Sequence, residues 1–104
     1  RLRTPFSSLG LTAEAASNFT FPNLMGRQKA SWLLMAAEWI DAEQAVELGL
    51  AMEIHPVDQL LPHVMSQAEK LARLPLASLV KTKSLIMDPV KDQMKQSIKK
   101  KFKR

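Results

Sequence analysis

Apolar and polar positions along this chain recur with the period of a helix far more often than with that of a strand. From Arg27 to about Glu38, residues Ala30, Leu33, Leu34 and Ala37 take helical spacing, and Trp39-Ile40 follows as a buried connector. Asp41 and Gln44 have the spacing of a capping box; Ala45, Val46 and Leu48 give the short helix after it an apolar side, and Gly49 is placed to end it. From about Gln59 to Arg73, Leu61, Val64, Met65, Ala68, Leu71 and Ala72 form one stripe, with Asp58 as its cap. Pro75 suits the first turn of another helix through Ile86. Asp88-Pro89 starts a last one, on which Val90, Met94, Ile98 and Phe102 recur about every four residues.

The N-terminal stretch is less regular. Residues 1 to 10 read as extended or looped, because Pro5 restricts Thr4 and Gly10 is free to turn. Thr12 is placed to cap a short helix through about Phe19, and Phe21-Pro22-Asn23 to break it. Only Leu50-Ala51-Met52-Glu53-Ile54 alternates as a strand does, and His55-Pro56 stops it. The fold class is therefore mainly α, with at most one or two short strands. A single strand cannot satisfy its own ladder, so the pattern points to a piece of a larger fold.

Composition narrows the functional classes. The length of 104 residues suits one small domain, and 46% apolar residues is a globular proportion. No apolar run approaches the roughly 18–20 residues of a membrane span, and Arg1-Leu2-Arg3-Thr4-Pro5 lacks the apolar core of a leader. Cysteine is absent, which excludes disulfides and thiolate metal sites. The net charge of +5 is concentrated in Lys91 to Arg104. Such a run suits nucleic acid, an anionic membrane or a phosphate-bearing ligand; as a solvated helix face or tail it needs no partner. No aromatic residue interleaves with its lysines before Phe102, so a stacking surface for single strands is not indicated; the run is assigned to solvent, with no nucleic-acid or membrane partner.

Candidate chemistry is sparse. Three glycines cannot build a phosphate cradle, and His55 and His63 stand apart from any metal-ligand cluster. Trp32 and Trp39 take core-like positions, and Met25, Met35, Met52 and Met65 read as core filler. Lys81 and Lys83 fall on a helix surface. The notable carboxylate is Glu14, ahead of Ala15-Ala16-Ser17. It reads either as a first-turn complement to a helix dipole or as a base that a ligand can approach closely over small neighbours.

The run Thr4-Pro5-Phe6-Ser7-Ser8-Leu9-Gly10, then Glu14, Ser17 and Phe21-Pro22, resembles a segment of the crotonase (enoyl-CoA hydratase/isomerase) family, nearest its isomerase branch. Lys29-Ala30, Leu33-Leu34, Ile40-Asp41-Ala42-Glu43-Gln44-Ala45, Gly49-Leu50, His55-Pro56, Leu60-Leu61, Ala68-Glu69-Lys70-Leu71-Ala72, Leu74-Pro75 and Lys81-Thr82-Lys83 continue the likeness in order through about residue 87. The resemblance implies an α/β parent whose C-terminal part is present here. Residues 1–26 would close its catalytic core, and 27–104 would be a helical oligomerisation region of a homo-trimer or hexamer. The substrate implied is an acyl-CoA, with no further cofactor and no metal. The oxyanion hole and most CoA contacts would lie in preceding segments, leaving the isolated piece inactive. The compartment implied is the bacterial cytoplasm, or a mitochondrion or peroxisome.

Hydratases of this family carry a second glutamate directly after the proline matching Pro5; here that position is Phe6. The isomerases use one glutamate, at the position of Glu14, to take a proton from C2 of a 3-enoyl-CoA and return one to C4. The resemblance therefore implies double-bond isomerisation in fatty-acid oxidation. Glu14 would be its acid/base, with basicity raised by burial, and Phe6, Leu9 and Ala15 would wall the acyl chain. Hydration of a 2-enoyl-CoA and a non-catalytic crotonase-like interaction module are the alternatives. Ala15-Ala16 and Ala37 stand where relatives often have glycine, which implies a helix slightly farther from the acyl chain and a packing detail, respectively.

Overall fold

A computed structural model describes residues 1–102, with side chains as far as Lys99. The side chains of Lys100 to Arg104, which complete the basic run and place Phe102 on its stripe, lie outside the described residues. A short 3₁₀ turn (Ser7–Leu9) precedes five helices: α1 (Ser17–Met25), α2 (Arg27–Ala36), α3 (Ala42–Glu47), α4 (Val57–Ala72) and α5 (Leu76–Phe102). The α character expected from the pattern holds, and no strand forms among the described residues. Leu2 and Ile40 alone pair as extended backbone, exchanging N–H···O bonds of 3.0 and 2.9 Å.

Helix α3 forms where local chemistry dictates. The Asp41 carboxylate accepts from the Gln44 N–H (2.8 Å), and the Gln44 side chain accepts from the Asp41 N–H (2.9 Å). At its far end Gly49 adopts φ +79°. There the Gly49 N–H bonds Val46 O and the Leu50 N–H bonds Ala45 O, the paired closure of a Schellman motif. The Ala51 N–H also turns back to Ala45 O (3.2 Å). This overturns the strand expected over 50–54: the amides of Leu50 and Ala51 are spent on the helix end, and no second strand lies alongside among the described residues.

Four further expectations are corrected. Helix α1 starts at Ser17, not near Thr12, because Ala15 and Ala16 both take left-handed φ (+54° and +61°), which no right-handed helix includes. It also runs through Pro22 to Met25, capped by Gly26, whose N–H bonds Pro22 O (2.8 Å). Proline fixes a helical φ and removes one N–H, and a nine-residue helix packed on a neighbour tolerates that loss. Likewise Pro89 lies inside α5, so the two C-terminal helices expected are one helix of 27 residues. Helix α4 begins after Pro56 with no side-chain cap, and Asp58 sits in its first turn as a dipole complement.

The core is small and lies under α1–α3. Leu33, Ile40 and Ala45 are buried together, and Phe21, Met25, Leu48, Leu50 and Ala51 pack against them. Helix α1 packs on α2, and α5 returns to lie against α1. The core positions assigned to the tryptophans and most methionines are not realised: Trp32, Trp39, Met35, Met52 and Met65 are exposed. Trp39 instead lies under the Arg1 and Arg3 guanidinium groups, 4.6 and 5.6 Å from its ring centre. The Trp32 indole N–H donates to Glu38 (3.3 Å). None of the stripe on α4 is buried.

Candidate active site

The last carbonyls of a helix have no partner within it. In α2 these are served by the N-terminal segment. The Thr4 hydroxyl donates to Leu33 O (3.1 Å), the Ser7 hydroxyl to Met35 O, and the Arg3 Nε–H to Ala37 O (2.7 Å). Three side chains within five residues thus clamp the N-terminal segment against the end of α2. The clamp fixes the 3₁₀ turn that carries half-buried Phe6 and exposed Leu9. Gly10 closes the turn at φ +71°, its N–H bonding Ser7 O (3.1 Å), and the Leu11 N–H returns to Phe6 O (2.7 Å).

From Leu11 the chain runs without regular structure to Glu14, then reverses through Ala15 and Ala16 into α1. Glu14 O accepts from the Ser17 N–H (3.0 Å), so the glutamate sits at the head of a hydrogen-bonded turn. Its exposed side chain opens on a cavity of about 200 Å³ lined by Ala13, Ala15, Ala16, Asn18, Ser97 and Ile98. The last two come from α5. Ser97 is 6% exposed, and its hydroxyl donates to Asn18 Oδ1 at 2.6 Å, tying α5 to the first turn of α1 beside Glu14. Ser17 is equally buried, and its hydroxyl has no partner among the described residues.

Of the four residues singled out in the sequence, the structure brings Glu14 and Ala15 to one cavity. Phe6 and Leu9 stand on the preceding turn, outside that lining. The burial expected around the Glu14 carboxylate is not supplied by the described residues. Asn18 and Ser97 were missed. They are 79 positions apart, and an expected break near Phe21 and a second one at Pro89 hid that α5 reaches the site.

The histidines were also misjudged. His55, in the connector after α3, and His63, on α4, both place Nε2 against the same oxygen of Glu53, at 2.7 and 2.8 Å. Their rings stack with centres 3.9 Å apart. The hydrogen bond from His55, aided by the positive potential of both imidazoles and the contact from His63, holds the Glu53 carboxyl below its usual 4.5. The Glu53-x-His55 spacing was the available signal; His63 joins only because α4 folds back over the connector.

Comparison with known proteins supplies the frame for these sites. Residues 1–103 match the family model described as enoyl-CoA hydratase/isomerase. Enoyl-CoA delta isomerase 2 of Rattus norvegicus is 35% identical over 91 residues, which are 88% of this chain and 23% of that protein. A crystal structure of an enoyl-CoA hydratase/isomerase from Pseudoalteromonas atlantica superposes with a TM-score of 0.90 at 31% identity, covering 95% of this chain and 40% of its own. That of an enoyl-CoA hydratase from Mycobacterium marinum gives 0.72 at 47% identity, covering 82% of this chain and 39% of its own. The chain thus spans less than half the length of each. With the family model matched over residues 1–103 and 88% of its length covered by a relative 35% identical to it, the chain belongs to the enoyl-CoA hydratase/isomerase, or crotonase, family.

Proposed function

We propose that the protein containing this chain moves the double bond of a 3-enoyl-CoA to C2, with Glu14 as the acid/base. The observation that carries this reading is Glu14 in a cavity between Ala15, Ala16 and α5, with Phe6, not a carboxylate, after Pro5. Glu14 takes the C2 proton, leaving a dienolate whose negative charge rests on the thioester oxygen. The same carboxylic acid then delivers a proton to C4. One group serves both transfers because C2 and C4 lie on one face of a short allylic unit. The side chains of Ala15 and Ala16 are small enough to let that unit approach.

Two further requirements fall on the rest of the parent protein. Donors for the developing oxyanion contribute about 3–4 kcal/mol each, and the exposed Glu14 carboxylate needs a cover that excludes water. By this reading the 104-residue chain alone is inactive, and the parent is a homo-oligomer in which the helical region mediates contact.

The test is conversion of 3-enoyl-CoA to 2-enoyl-CoA by the parent protein, followed by absorbance of the conjugated thioester, with and without Glu14→Gln. Loss of about 10²–10⁴-fold in rate is expected from removing the acid/base; an unchanged rate refutes the role. The M. marinum neighbour, named as a hydratase and 47% identical, favours water addition as a second reading. It predicts that 2-enoyl-CoA loses its conjugated absorbance on incubation with the protein. Isomerase action from the 2-enoyl side leaves most of that absorbance in place.

A further inference from the structure

Away from Glu14, the connector after α3 meets the middle of α4 in a cavity of about 500 Å³. Its walls combine apolar Leu60, Val64 and Leu71 with Gln67 and Lys70. At one end stand Glu53, His55 and His63, whose donor atoms all lie within 4.8 Å of one another. Two stacked imidazoles aim Nε2 at a single carboxylate oxygen, so one acceptor serves two donors. A cation at their meeting point would be served by all three.

We propose that Glu53, His55 and His63 bind one divalent transition-metal ion of the zinc type, with water or a small anion as fourth ligand. Two imidazole nitrogens and a carboxylate oxygen are a donor set suited to such an ion, and three protein ligands leave one position open. Metal–ligand bonds of about 2.0–2.2 Å set tetrahedral donors about 3.3 Å apart, so the present contacts must widen by about half an ångström. The Glu53 side chain is half exposed and its connector has no regular structure, which leaves it free to make that adjustment. Lys70 lines the same cavity and favours a small anion over a neutral ligand in the fourth position. The ion would join the connector to α4, a helix that otherwise buries none of its residues.

The test uses the parent protein that contains this chain, without a polyhistidine tag and stripped by chelator, titrated with Zn²⁺ by calorimetry and with Co²⁺ by visible absorption. One equivalent of each ion is expected, with the intense d–d bands of four-coordinate cobalt. His55→Ala and His63→Ala should each weaken binding by about 100-fold or more, given that even outer-shell changes cost 10–100-fold. Nitrogen-edited NMR of the histidine rings in the unaltered protein needs no variant: zinc should move the Nε2 resonances of both His55 and His63. No uptake of either ion, unmoved ring resonances, or undiminished affinity in both folded variants overturns the proposal.

Discussion

Ala15, Ala16 and Ala37 are the only non-glycine residues with positive φ among those described, at +54°, +61° and +55°. A Cβ in this region approaches the neighbouring carbonyl oxygen and costs about 1–2 kcal/mol, a strain that glycine escapes. Replacement by glycine also loosens the unfolded chain, which takes back about 0.4–1 kcal/mol. At exposed Ala15 nothing else changes, so Ala15→Gly should stabilise by about 0.5–1 kcal/mol. Ala16 and Ala37 are buried, at 4% and 6% exposure, and losing each methyl removes a further contribution of about 0.8 kcal/mol. Glycine there should be near neutral. Thermal unfolding followed by circular dichroism reads the ordering: Ala15→Gly up by about 2–8 °C, the other two within a few degrees of the parent. Ala15→Val, which adds a β-branch at positive φ, should move in the opposite direction. A loss of stability in Ala15→Gly, or a larger gain at Ala16 than at Ala15, refutes the strain argument.

Two other perturbations are set by single contacts. Asp41→Ala removes the side-chain acceptor of the α3 capping box, and with it the bond from the Gln44 N–H, and should cost about 1 kcal/mol in denaturant unfolding, with Asp41→Ser recovering most of it; equal losses in the two variants would show that the cap is not what stabilises α3. The depressed Glu53 carboxyl stabilises the fold while ionised, so its contribution is complete above its usual 4.5 and is lost as pH falls through the lower folded value. In chelator, the melting temperatures of the native chain and Glu53→Gln should therefore differ above about pH 4.5 and converge on further acidification; a gap that survives unchanged into strong acid contradicts it.

What could be read from the sequence was what is decided locally. Asp41, Gln44 and Gly49 announce α3 because the cap and the Schellman closure are made by residues within a few positions of one another. The resemblance carried by Thr4 to Glu14 and the later blocks led to the right family, because order and spacing over nearly the whole chain are hard to meet by accident. Proline misled twice. Pro22 and Pro89 look like breaks from sequence alone, yet packing of α1 on α2 and of α5 on α1 outweighs one missing N–H apiece. The alternation over 50–54 misled because a strand exists only through its neighbour, and the helix end claims those amides first. Ala15-Ala16 was read as a matter of distance from the acyl chain. The pair also has a backbone consequence: its left-handed φ values start the helix at Ser17.

The distribution of apolar surface explains why the remaining expectations went wrong in one direction. The tryptophans, the stripe of α4 and all the expected core methionines but Met25 are exposed. Helix α4 carries Leu61, Val64, Met65 and Leu71 on a face with the spacing of a buried one, yet all four stay exposed, with only the connector around Glu53 and His55 beside the helix among the described residues. An apolar helix face of this kind is stable in water only when another surface covers it, since most helical stability in proteins comes from tertiary packing. The relatives are more than twice as long as this chain, which is where such a surface would come from. The same argument applies to the catalytic candidate: Glu14 is positioned by contacts within this chain, through the Ala15-Ala16 turn and the Ser97–Asn18 tie, while the cover that a proton-transfer site requires is not among them. On the proposed reading, positioning and desolvation of Glu14 are divided between two parts of the parent, and a mutation on the covering part should lower the rate without moving Glu14.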